Sequence, residues 1–284
     1  MNHLLQNQTE NEDEKTEQIE IVLILEAIYQ KYGYDFRNYA YSSIRRRLWY
    51  RAQIEEMNTI SEFQSKLLRE PALMKVLLKD FSINVTEMFR DPGFFKVFRS
   101  KVVPVLRELP YIRIWHAGCS SGEEAYSMAI LLHEEGIYEK TQIYATDMDE
   151  DILERAKSGK ISLDHMKQYT KNYQQAGGTK EFSEYYTVKD NYVTLNPFLK
   201  KNIIFAHHNL VTDHSFNEFQ VIICRNVLIY FNKQLTNRVY DLFYDSLSDN
   251  GYLGLGSKES INLYNSSNTY QEIDLVERIY KKIK

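Results

Sequence analysis

The stretch from Arg113 to Leu132, RIWHAGCSSGEEAYSMAILL, constrains the fold more than any other. A short β-branched and aromatic run meets a glycine turn, Gly118-Cys119-Ser120-Ser121-Gly122, and an apolar periodic segment follows. That layout predicts a strand, a tight ligand-facing turn and a helix, as in a nucleotide-binding α/β unit. Four more short apolar runs lie downstream, each close to a turn residue: QIYATD, NIIFAHHN, FQVIICRN and YLGLGS. Mostly helical patterns separate them, and this alternation predicts a parallel sheet with right-handed crossovers. Asp149 is placed to cap the helix DEDILERAKSG, and 233–248 reads as a further helix closed by Asn250-Gly251. One segment breaks the rhythm. Residues 166–202 are tyrosine-rich, turn-rich and partly alternating, so a small β insertion, or a strap across the sheet, fits them better than another βα unit.

The N-terminal part has a different period. IEIVLILEAIYQKYG is an apolar helix ending at Gly33, and YSSIRRRLWYRAQIEE, TISEFQSKLLRE and PALMKVLLKDFS follow as helices, the last opened by Pro71. No convincing strand interrupts them. The expected organisation is an acidic, disordered tail over 1–18, an all-α domain over 19–82, a linker motif and helix over 83–110, and a Rossmann-like α/β domain over 111–284.

The bulk properties exclude several functions. A net charge of −4 over 284 residues gives no global attraction to nucleic acid or to an anionic membrane. Two cysteines, Cys119 and Cys224, are too few for a disulfide framework and read as small packing residues. No apolar run reaches the roughly 20 residues that span a bilayer, and the polar N-terminus lacks a signal-peptide core, so a cytoplasmic protein with no membrane insertion is expected. His207, His208, Asp213 and His214 lie close together, but neither HExxH nor CxxC spacing occurs, and no metal site is expected.

Open α/β sheets bind ligands beyond the carboxyl ends of their strands. Four features converge there: the glycine turn, Asp147 ending the second strand, His207-His208-Asn209-Leu210 ending the third, and Arg225, Asn226 and Tyr230 after the fourth. Glu123 and Glu124 discriminate between ligands. They suit a helix N-terminus through the macrodipole, yet a carboxylate beside a dinucleotide pyrophosphate would be repelled. S-adenosylmethionine carries no phosphate and offers an ammonium, a sulfonium and a ribose diol, so acidic side chains favour it.

GCSSGEEAYSMA, ATDMDEDILERAKSG, FQVIICRNVLIYF and the upstream NVTEMFRDP together resemble the CheR family of chemoreceptor glutamate methyltransferases, over roughly residues 20–280. The resemblance implies a Rossmann-like, S-adenosylmethionine-dependent methyltransferase domain that esterifies protein glutamates, releases S-adenosylhomocysteine and carries the all-α domain before it. It also implies cofactor contacts at Asn84, Thr86, Arg90, Glu124, Asp147, Asn209, Leu210, Asn226 and Val227. Arg90 and Tyr230 would face the transferred methyl and the incoming carboxylate. A glutamate is already ionised at neutral pH, with a reference pKa of about 4.3, so no general base is needed; proximity and alignment can supply about 7–11 kcal/mol.

Arg45, Arg46, Arg47 and Arg51 form a basic cluster on a predicted helix, with Trp49 and Tyr50 between them. A solvated helix face explains such a run. In the resembled family this domain contacts acidic receptor helices, so the cluster is also the expected docking face for the acidic helical cytoplasmic domain of a receptor, with Arg47 and Arg51 on one side of the helix. A monomer is expected. A catalytically silent, cofactor-binding scaffold is the alternative function, and whether the β insertion binds a C-terminal receptor pentapeptide stays open.

Overall fold

The computed structural model describes the backbone of residues 2–81, 85–261 and 269–283, with side chains from residue 12 onward. The chain forms two compact units, one of residues 1–83 with Tyr230–Leu235 and one of Asn84–Ile229 with Thr236–Lys284.

The first unit contains helices α1 (Asn2–Tyr32), α2 (Tyr41–Ile54), α3 (Ile60–Arg69) and α4 (Pro71–Phe81). Ile21, Ile24, Leu25 and Ile28 recur at helical spacing on α1 and are buried, as are Ile44, Leu48 and Ala52 on α2. Gly33, at φ +78°, ends α1 with its N–H on the Tyr29 carbonyl at 2.9 Å. Thr59 caps α3 by accepting from the Glu62 N–H.

Two expectations change here. The segment 1–18, expected to be disordered, is helical from Asn2 as part of α1. It contains neither Gly nor Pro and is rich in Glu and Gln, which favour helix without needing a buried face. Its Glu17 is tied into the unit, accepting from Arg45 and from the Trp49 indole N–H. The basic cluster is not one exposed face. Arg47 is buried, with its guanidinium donating to the Phe81 carbonyl and lying 4.8 Å from the Tyr230 ring. Arg51 forms a two-pronged pair with Asp80 at 2.6 and 2.9 Å. Helical spacing put both on one side of α2, but that side faces inward; Arg45 and Arg46 remain exposed.

The second unit is built on a seven-stranded sheet in the order β6-β2-β1-β7-β8-β10-β9. Strands β1 (Ile112–Ala117), β2 (Thr141–Asp147), β6 (Ile203–His207), β7 (Phe219–Cys224) and β8 (Leu247–Leu255) are parallel, as the alternation predicts. The chain runs from β1 outward to β2 and β6, then returns to β7 on the other side of β1. That reversal places the crevice of an open α/β sheet between the ends of β1 and β7. Strands β9 (Tyr270–Asp274) and β10 (Ile279–Lys282) add an antiparallel pair at one edge that the sequence pattern did not announce.

Residues 92–107 form α5 (Pro92–Val97), a π-helical turn (Phe98–Val102) and α6 (Val103–Arg107). This is no free linker. Phe94, Phe95, Phe98, Val102, Val103 and Leu106 are buried in the core with the sheet. Helix α7 (Glu123–Glu134) is apolar almost all round and buried along most of its length.

After α8 (Glu150–Ser158), capped by Asp149 as expected, comes the insertion. It contains a second sheet of β3 (Lys160–Ser162), β5 (Tyr192–Leu195) and β4 (Tyr186–Lys189), all antiparallel. It also contains a helix absent from the sequence reading, α9 (Met166–Gln175), whose Met166, Tyr169 and Tyr173 fall on one buried face. The adjacent Gly177-Gly178 made that stretch read as turn.

The insertion is fastened by Glu134, whose side chain is fully buried. Its carboxylate accepts from Arg99, from the Tyr173 and Tyr185 hydroxyls and from the Thr179 N–H. Removing one member of a buried, hydrogen-bonded charge pair costs about 3–5 kcal/mol, because the other is left uncompensated. Glu134→Ala is therefore expected to destabilise the α/β unit by that amount, read from urea unfolding monitored by Trp115 fluorescence in a Trp49→Phe background.

Candidate active site

The glycine turn is held by main-chain bonds. The N–H groups of Gly118 and Cys119 both reach the Thr146 carbonyl, at 2.8 and 2.9 Å, fastening the end of β1 to β2. Gly118 sits at φ +79°, and a Cβ there would lie 2.5 Å from Val227 Cγ2. Only glycine permits this approach of the turn to the loop after β7.

Asp147 organises the outer side of the turn. Its carboxylate accepts the Ser120 N–H at 2.9 Å and the Asp149 N–H at 3.1 Å, and its own carbonyl accepts the His208 N–H at 3.1 Å. Burial pushes its carboxyl up, against the downward pull of those donors. Beside it the Ser120 hydroxyl is buried with no protein partner among the described residues.

On the inner side, Glu124 does not stand as a free anion. One carboxylate oxygen contacts His116 Nδ1 at 3.0 Å and the other accepts from Arg225 at 2.8 Å. Burial acts to raise its carboxyl, but Arg225 and His116 outweigh that and hold it below the ordinary value of 4.5. Arg225 continues the chain of charge, donating to the Asp91 carboxylate at 2.7 Å and to the Arg90 carbonyl at 3.1 Å. Its guanidinium stacks 4.4 Å from the Phe94 ring centre. The neighbouring Glu123 is buried, accepts from the Ser121 hydroxyl and has its carboxyl raised by desolvation.

The NVTEMFRDP stretch is thereby drawn onto the carboxyl edge of the sheet. The Phe89 N–H donates to Ser127 Oγ at 2.8 Å, and that hydroxyl donates to the Glu123 carbonyl. Phe89, Asp91, Ser120 and Asn226 all have positive φ, between +51° and +61°. Left-handed backbone at non-glycine residues costs free energy and persists where surrounding structure over-determines it. Here it gathers on the loops that meet at the strand ends.

Sequence reasoning missed Glu259. It is buried, and its carboxylate accepts four main-chain N–H groups, those of Asn226, Val227, Leu228 and Gly256, at 2.6–3.0 Å. The only local signal was its place three residues after a glycine at a strand end, Gly256-Ser-Lys-Glu259. Arg225, which the sequence placed among the ligand-facing features after the fourth strand, is in the structure a buried link between two carboxylates.

The remaining candidates divide clearly. Asn209 accepts from the Val211 N–H through its side chain and Leu210 is buried, both at the end of β6 beside the Asp147 contact. Arg90 donates to the Val85 carbonyl at 3.1 Å, and Thr86 directly follows Val85 on the same loop, separated from Arg90 by three residues. Asn84 lies outside the described residues. Tyr230 groups with the helical unit, where its carbonyl accepts the Ala40 N–H at 2.8 Å and its ring carries Arg47. No cluster of three metal-ligating side chains occurs among the described residues.

The turn fits a phosphate-free adenosine cofactor. An acidic side chain with spare acceptor capacity and an orphaned hydroxyl suit a ribose diol, and the nearby Arg225 is already committed to Glu124 and Asp91. Asp147, Ser120, Asn209, Asn226 and Val227 would hold it.

Comparison with known proteins gives matches to two family models. Residues 84–277 match the CheR methyltransferase SAM binding domain, and residues 19–82 match the CheR methyltransferase all-alpha domain. Cher3 of Pseudomonas putida is 47% identical over 269 residues, covering 95% of this chain and 98% of that protein. A chemotaxis protein methyltransferase of Listeria innocua is 32% identical over 231 residues, covering 81% and 85%. Another, of Borreliella burgdorferi, is 28% identical over 257 residues, covering 85% and 88%.

The depressed Glu124 carboxyl has a pH signature. A group ionised more easily in the folded than in the unfolded state adds stability above its unfolded value, and that stability fades as pH falls through the folded one. Glu124→Gln should lower stability by about 2–3 kcal/mol at pH 7, and its deficit relative to the unaltered protein should shrink as pH falls below 4.5. Urea midpoints from pH 7 to acid measure it; a deficit constant with pH would contradict the pairing.

Proposed function

The chain belongs to the CheR methyltransferase family, and from that premise we propose that it is a protein-glutamate O-methyltransferase acting on chemoreceptor-type signalling proteins. The chain is an S-adenosylmethionine-dependent methyltransferase of the chemotaxis family. When bound, the cofactor supplies an electrophilic methyl group on a sulfonium centre.

The observation that supports this proposal is the tie of Arg225 to Glu124, to Asp91 and to the Arg90 carbonyl, which links the Arg90 backbone to the first turn of α7. A cation there suits a carboxylate acceptor. Cys119 and Cys224 are both buried, with thiols raised well above their ordinary value by desolvation, so neither is a nucleophile. A glutamate acceptor needs none, being ionised at neutral pH. Arg90 orients that carboxylate without holding it too tightly, since a strong pair would stabilise the anion more than the neutralising transition state. Tyr230 donates a hydrogen bond to it. Arg45 and Arg46, the exposed members of the basic cluster, attract an acidic receptor helix.

Transfer of labelled methyl from S-adenosylmethionine to receptor cytoplasmic fragments tests the activity. The label should leave as methanol in alkali, as carboxyl methyl esters do and N-methyl groups do not. Alkali-stable label would overturn the glutamate assignment, and cofactor binding without transfer would make the protein a silent scaffold. Tyr230→Phe keeps the ring beneath Arg47 and removes only the hydroxyl. It should lower kcat by about 10- to 100-fold, the worth of one hydrogen bond to a charged group, while leaving S-adenosylhomocysteine affinity unchanged.

A further inference from the structure

We infer that Glu259 is a positioning residue for the cofactor, acting as a built-in anion that shapes the Asn226–Leu228 turn before any ligand arrives. The inference rests on the reading that Asn226 and Val227 contact S-adenosylmethionine.

Four convergent N–H groups form a nest that attracts anions. In this protein Glu259 fills it. Its Oε1 takes the Val227 and Leu228 N–H groups at 2.9 and 2.8 Å, and its Oε2 takes those of Asn226 and Gly256 at 3.0 and 2.6 Å. Charge-assisted bonds of this kind are stronger than those between neutral groups. Their combined effect holds Asn226 at φ +61°, a conformation that the isolated chain disfavours. Space as well as charge requires the arrangement: a Cβ at Gly256 would lie 2.7 Å from Glu259 Oε2 and 2.8 Å from the Asn226 nitrogen.

The consequence reaches the glycine turn. Val227, whose N–H shares one carboxylate oxygen with the Leu228 N–H, projects its Cγ2 into the space that Gly118 leaves open. Loss of the Glu259 charge therefore frees the loop after β7 and, through Val227, the contact with the turn after β1. Glu259 needs no contact with the cofactor to do this. Sites pre-shaped by supporting residues lose affinity when that support is removed, because binding must then order the loop.

The test compares Glu259→Gln with Glu259→Asp in the full chain. Gln is nearly isosteric but turns one acceptor into a donor that faces two N–H groups; Asp keeps the charge on a shorter stem. Calorimetric titration with S-adenosylhomocysteine should show Kd raised about 10- to 100-fold in Glu259→Gln, with partial recovery in Glu259→Asp. The KM for protein substrate should not move. Unaltered affinity in a folded Glu259→Gln protein would overturn the inference. Hydrogen exchange on the unaltered protein decides the matter even where both variants fail to fold. The Asn226, Val227 and Leu228 amides should be protected without cofactor, and rapid exchange there that slows only on adding S-adenosylhomocysteine would overturn it. Failure of the unaltered protein to bind S-adenosylhomocysteine at all would instead remove the cofactor reading on which the inference stands.

Discussion

A buried guanidinium is tolerated only where anions and hydrogen-bond acceptors replace the water it has lost. Arg225 meets that condition through Glu124, Asp91 and the Arg90 carbonyl, with the Phe94 ring against its face. These partners come from two segments, the first turn of α7 and the loop before α5, while Arg225 itself follows the strand end of β7. One cation thus makes the position of three loops conditional on each other, and His116 extends the chain to β1. The geometry at the carboxyl edge of the sheet depends on this ion-pair network more than on any apolar contact. Apolar packing sets distances between elements but has little directional preference.

Two devices then refine the edge. Asp147 fixes the glycine turn from outside through the Ser120 and Asp149 amides, and Glu259 fixes the turn after β7 from beneath. Both use a carboxylate to gather main-chain N–H groups that no helix or strand would satisfy. The acidic residues of this edge therefore do two separable jobs. Some organise backbone, and Asp147 keeps lone pairs available to a ligand. The simple electrostatic reading, in which Glu124 attracts a cationic ligand directly, gives way to one in which its charge is matched within the protein.

The fold was largely legible from periodicity. The five parallel strands, the helices of the first unit, the Asp149 cap and the Gly33 stop all follow from local pattern, because each has one apolar face and a conformational stop signal. The misreadings share a cause. The tail over 1–18 has no apolar stripe, yet it is helical because its residues favour helix intrinsically. Helix α9 was hidden by the glycines that follow it and by tyrosines, which serve core and surface equally. In the antiparallel pair β9–β10, exposed residues lie side by side in β9 and buried ones side by side in β10, so neither strand alternates.

The candidate site was legible only where a motif carried it. From the amino acids alone came the strand–turn–helix unit, Asp147 at a strand end, the family resemblance and with it S-adenosylmethionine as cofactor. These are set by spacing along the chain, which sequence records directly. Only the tertiary structure decided that Arg47 and Arg51 face inward, that Arg225 lies between Glu124 and Asp91, and that Glu259 underpins a turn more than 30 residues before it. A charged side chain reads as surface in a sequence, because its burial depends on partners that are remote in the chain and become neighbours only when the sheet assembles.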